Sequence, residues 1–241
     1  MSITHRLLPI ALVAAATCMT PAWAGDINQL GNLSQSQFYD LSKDLAAATS
    51  SNPMEPAAPL GLAGFDLSVA TTMTNTQAGA AWDQAASGSM SHPVQAKLMA
   101  TKGLPWGVDV GGFISQMPNS NVTASGFHAK YALLEGSAVS PAVAVRTSYS
   151  RMGGVSQMGL NNMGLDLLVS KGFVGITPYA GIGTVHSTAK VNGVSSLHNE
   201  TLVQGKYFAG VSMNMMLVNL TAEYARVGST SSVGVKAGLR F

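Results

Sequence analysis

From Gly61 to the end of the chain, apolar and polar residues alternate, and the alternation breaks at short intervals. A period of two is the signature of strands with one apolar face. The pattern predicts ten strands: 61–73, 93–101, 106–116, 122–134, 142–151, 160–170, 174–186, 202–213, 216–227 and 232–241. Most are close to the roughly 9–11 residues that a tilted strand needs to cross a bilayer. Upstream, residues 33–48 follow a different period. Phe38, Leu41, Leu45 and Ala48 share one helical stripe, Ser34 and Gln37 form an S-x-x-Q capping box, and Leu33 with Phe38 supplies the matching staple. Pro53, Pro56 and Pro59 then predict an extended connector.

Within each strand the apolar residues select one parity, as with Leu67 and Val69, Val108 and Val110, or Val218 and Leu220. Asp66, Lys97, Asp109, Lys130, Arg146, Asp166, Lys206, Glu223, Lys236 and Arg240 all take the other. In a membrane barrel the apolar parity faces lipid, where a Lys or Arg near the midplane costs about 2–4 kcal/mol, so charge belongs in the lumen. Six basic and four acidic lumen residues are expected to pair into a network that leaves the bore closed or narrow. Arg151 and Arg226 carry the lipid-facing parity, but at strand ends, where the cost falls towards zero.

Composition narrows the class further. Only 10% of the 241 residues are charged, against about 25% in ordinary soluble domains. A soluble lipocalin-like barrel or sandwich would carry its polar parity outward, and that face is mostly Ser, Thr, Gly, Ala and Asn. Residues 1–24 read as a cleaved leader, with His5 and Arg6 ahead of an apolar stretch and Ala22-Trp23-Ala24 as the cleavage site. Cys18, the only cysteine, falls inside it; Ala15-Ala16-Thr17 lacks the branched aliphatic expected ahead of a lipidated cysteine. The mature chain then has no thiol chemistry, and its 12 basic and 11 acidic residues do not suggest nucleic acid. The organisation expected is a leader (1–24), a helix and connector (25–60) and a closed antiparallel transmembrane β-barrel (61–241).

If the chain enters the barrel from the periplasm, the outer connections run to 19, 5, 8, 15 and 4 residues and the inner ones to 4, 7, 3 and 2. Long outside and short inside is the habit of bacterial barrels. The helix is expected to lie across the periplasmic mouth or at the membrane surface; the alternative is a plug inside the bore.

The segment VGVKAGLRF, ending in Phe241, resembles the closing strand of bacterial outer-membrane proteins, and ITPYAGIGTV at 176–185 resembles a strand of small OmpA-like and OmpW-like barrels. The resemblance implies an outer-membrane location and a role for Phe241 in the signal read by the barrel-insertion machinery. It also implies lipid and lipopolysaccharide as surroundings, whose phosphates Arg151 and Arg226 are placed to hold at the outer rim; the competing reading is that both reach into water. No cofactor, metal cluster or catalytic set emerges. His186 and Ser187, adjacent on a strand, point to opposite faces; His128 faces the bore without an acidic partner in sequence; His92 and His198 sit in outer loops. Three functions stay open: a structural barrel or narrow passive pore, a loop-presenting adhesin, and, behind these, a lipid hydrolase.

Overall fold

The structure is a computed structural model that describes residues 25–86 and 92–241, so the leader and Cys18 lie outside the described residues. Ten strands follow one another round a closed antiparallel barrel: β1 (Phe65–Asn75), β2 (Val94–Leu104), β3 (Val108–Gln116), β4 (Thr123–Leu134), β5 (Ala142–Gly153), β6 (Met158–Ser170), β7 (Ile176–Val191), β8 (Glu200–Met215), β9 (Val218–Val227) and β10 (Thr230–Arg240). Each strand pairs with its sequence neighbours, and β1 pairs with β10 to close the ring. Closure leaves no edge, which an all-β chain in lipid requires, since every backbone N–H and C=O then finds a partner within the sheet. The seam ends at Phe65 and Phe241, whose main chains bond in both directions and whose rings pack at 5.7 Å.

The two faces separate as the alternation predicts. Leu67, Val69, Leu98, Ile114, Leu165, Leu220 and Val235 are exposed on the outside, while the charged parity is buried inside, with Arg240 half-buried near the end. Connections at one end are short, spanning 105–107, 135–141, 171–175 and 216–217, and that end also holds Phe65 and Phe241. At the other end lie the 76–93 and 192–199 loops, and the first of these carries a short helix that alternation did not predict. By the habit of such barrels the short-turn end faces the periplasm. Trp106, 87% exposed, stands at that end in a left-handed conformation at the β2–β3 turn.

The amino-terminal region departs from expectation. Helix α1 (Gln35–Thr49) forms where predicted, and its capping box is complete: Ser34 Oγ accepts from the Gln37 backbone, and the Gln37 side chain accepts from the Ser34 N–H. But α1 lies neither across the periplasmic mouth nor on the membrane surface. It occupies the loop end of the bore, and residues 50–60 descend from it to the turn end before the chain reverses into β1. The reason is burial. Phe38, Leu41 and Leu45 are fully buried against Ile27, Leu30, Trp82, Met152, Met158, Leu160 and Leu202, a small apolar core set inside the mouth. A helix this short gains most of its stability from such packing.

The segment ahead of α1 stays at the same end. Ile27 bridges to Ala86 in the first loop, the Leu30 N–H donates to the Gln157 side chain, and the Gln35 side chain bonds the His198 backbone. Asn28 is exposed there, and Val139 is exposed at the opposite end. In a Cys18→Ala background, which leaves no other cysteine, Asn28→Cys is expected to react with a membrane-impermeant maleimide on intact cells. Val139→Cys is expected to react only after the outer membrane is opened. Labelling of Val139→Cys alone on intact cells would invert the orientation.

Candidate functional site

The bore is a binding site already filled, its occupant being residues 44–60 of the same chain. At the loop end Asp44 is the organiser. Its buried carboxylate accepts from the Gln77 and Ala78 backbone N–H groups at 2.9 Å, from Trp82 Nε1 at 3.0 Å, and from the Thr230 hydroxyl. One side chain thus fastens α1 to the short helix α2 (Gly79–Ala85) and to the start of β10. Below it, the Ser150 hydroxyl donates to the Thr49 carbonyl and the Asn162 amide to the Thr49 hydroxyl.

Halfway down, the predicted lumen charges meet the connector. The Ser51 carbonyl accepts from Arg146 Nη1 and from Lys206 Nζ, while Ser51 Oγ accepts from Arg146 Nη2 at 2.6 Å. Arg146 and Lys206 share Asp166, at 3.2 and 3.0 Å. Glu223 accepts from the Met54 N–H and from the Tyr179 hydroxyl, both at 2.8 Å. Met54 takes a left-handed backbone (φ 47°), and its methyl lies where a side chain on Gly234 would reach, at 2.8 Å from an added Cβ. Glu55 then brings the one carboxylate of the connector between two cations, 3.5 Å from Lys130 and 3.8 Å from Arg146, with the His128 imidazole at 3.6 Å. Nearest the turn end, Lys130 donates to the Pro56 and Ala58 carbonyls and pairs with Asp109, Ser170 accepts from Ala57, and Asp109 accepts from the Leu60 N–H.

Nearly every predicted lumen charge therefore has a named partner. Asp66 takes Lys236 and Arg240 at 3.2 and 3.0 Å beside the seam. Lys97 differs: its ammonium sits 5.6 Å from the Phe113 ring centre, with no carboxylate at ion-pair distance among the described residues. The structure also supplies what the sequence withheld. His128 has an acidic neighbour in Glu55, contributed from 73 positions upstream. Neither the alternation nor the helical stripe marks Ser51, Glu55 or Asp44, although a lone Glu between Pro53 and Pro56 is a polar residue in a stretch otherwise fit only for linking. His186 and Ser187 do diverge, the histidine exposed and the serine buried.

A closed ring with an apolar outside, a charged inside and no free edge has one setting that suits it. The fold is that of an outer-membrane β-barrel. No protein-family model matches the sequence, and no curated protein does. Among solved structures the chain is similar to the translocator domain of the autotransporter NalP from Neisseria meningitidis, at 12% identity over 86% of this chain and 97% of that one, with a TM-score of 0.42. It is also similar to the KdgM porin, at 10% identity over 73% and 99%, with a TM-score of 0.39. A third is the attachment invasion locus protein Ail of Yersinia pestis, at 15% identity over 74% and 98%, with a TM-score of 0.32. These are likenesses of barrel to barrel and extend to no particular ligand.

Proposed function

We propose that this outer-membrane barrel is a structural envelope protein sealed against solute flux by its own amino-terminal segment. The observation that supports this reading is the run of bonds from Thr49 to Leu60, which ties the connector to the wall at nearly every level of the bore. A passive pore needs a continuous aqueous path, and here the main chain takes the place of that path. The apolar core around Phe38 and Trp82 adds a second seal at the loop end. Wild-type barrel in phospholipid vesicles is expected to pass small sugars no faster than empty vesicles in a swelling assay. Rapid swelling would overturn the sealed reading.

The surface left for encounter is the cap at the loop end, where residues 26–34, α2 and the 192–199 loop come together, so a presenting or adhesive role fits the same molecule. Phe241 is proposed as part of the assembly signal, and its ring contact with Phe65 gives the terminal aromatic a place in the finished seam as well.

A further inference from the structure

The lipid-facing wall is not evenly convex. One outward row crosses β1 to β5 through Leu67, Ala100, Gly112, Phe127 and Tyr149, each paired across strands with the next. The two smallest members are neighbours, so the wall sinks at Ala100 and Gly112 between Leu67 and the Phe127–Tyr149 pair, whose rings lie 5.4 Å apart. The resulting cleft has a volume of about 650 Å³. A second cleft of about 1010 Å³ continues from it towards the loop end, past Leu98, Ile114 and Ser125. Arg151 borders both.

Arg151 is exposed one row nearer the loop end than Tyr149, between Ser125 on β4 and Asn161 on β6, both uncharged. Among the described residues no carboxylate lies at ion-pair distance from it. Arg226, the other arginine of lipid-facing parity, is placed differently. Its Nε donates to the Gly228 carbonyl, and it borders neither cleft. The two arginines that sequence parity treats as equivalent are thus separated by their surroundings.

We infer that this groove holds one phosphorylated lipid of the outer leaflet, with an acyl chain on the Ala100–Gly112 floor and a phosphate on the Arg151 guanidinium. A guanidinium binds a phosphate through two parallel hydrogen bonds, and the pairing is strongest where water is partly excluded. The floor adds dispersion contacts along the chain that a convex wall would not offer. The inference is independent of whether the bore conducts.

The test is native mass spectrometry of the full barrel, refolded in neutral detergent with an equimolar amount of diphosphorylated lipid A. Wild type is expected to retain one lipid. Arg151→Gln is expected to retain it about tenfold less tightly, the loss of one charge-assisted contact. Ala100→Phe fills the floor from the lipid side and is expected to lose the lipid with the charge still present, while Arg226→Gln behaves as wild type. Both groove substitutions face outward, and unchanged heat-dependent gel mobility verifies that the barrels are folded. Wild-type retention by folded Arg151→Gln or Ala100→Phe would overturn the proposal. So would an equal loss in Arg226→Gln, equal retention of the dephosphorylated lipid, or displacement by inorganic phosphate alone.

Discussion

A barrel lacking residues 26–58 is expected to conduct where the intact protein does not. Removing the segment takes away Glu55 and every main-chain atom that now bonds Lys130, Arg146, Lys206 and Glu223 across the bore. The freed lumen keeps six basic and four acidic residues, so the current should favour anions. Planar-bilayer recording checks this: resolved openings with anion preference for the truncated barrel, a flat baseline for the full chain. Because truncation can disturb refolding, a second form keeps the chain whole. Leu62 is exposed in the turn between connector and β1, so a protease site inserted after it can be cut once the barrel has folded. Cutting frees the lower end of the plug without changing the wall. A truncated barrel that folds and stays silent would show that the wall side chains close the bore unaided.

The second large effect concerns Glu55. Losing one partner of a buried ion pair costs about 3–5 kcal/mol, because the opposite charge is left stranded. Glu55 serves two cations, yet Lys130 keeps Asp109 and Arg146 keeps Asp166, which puts Glu55→Ala near the lower figure. That cost falls on the docking of the plug, since Glu55 lies in the connector and not in the wall. About 3 kcal/mol is more than a hundredfold in the docking equilibrium. Limited proteolysis of residues 50–60 in detergent should therefore accelerate by that order, with the barrel's own unfolding temperature little changed. Glu55→Gln, which retains an acceptor, should fall between. Asp166→Ala is the contrasting case: it strands Lys206 in the wall itself, leaves Arg146 only Glu55 as a carboxylate, and should lower the unfolding temperature. Equal proteolysis rates for wild type and Glu55→Ala would show that Glu55 does not hold the plug.

The strands were legible because their cause is local and repeated. A lipid-facing parity must be apolar at every other residue, and ten such runs can be read one at a time. The cap of α1 was legible for the same reason, since Ser34 and Gln37 satisfy each other within a turn. The destination of α1 was not, because its partners arrive from far along the chain: Thr230 for Asp44, Arg146 for Ser51, Glu223 for Met54. One signal did lie in the sequence. Met152, Met158, Leu160 and Leu202 sit on the inward parity at the loop ends of their strands, where a water-filled lumen has no use for them. An apolar band facing into the mouth asks for an apolar guest, and the stripe of Phe38, Leu41 and Leu45 answers it. The two arginines mark the complementary limit: parity gave both the same address, and only the shape of the wall beside Arg151 tells them apart.

A chain that crosses a membrane an even number of times ends on the side from which it started. Here the connector adds an eleventh passage to the ten strands, and the count becomes odd. Gly25 and Phe241 accordingly stand on opposite faces, joined by a main chain that runs through the middle of its own ring. That passage is made by non-helical backbone at membrane depth, tolerated because protein, not lipid, surrounds it. Its lower end feeds into Phe65, bonded to Phe241 at the closing seam. Tension applied to the cap is therefore shared along the bore by the bonds that tie the connector to the wall, and only the remainder reaches the joint that keeps the ring shut on the far side of the bilayer.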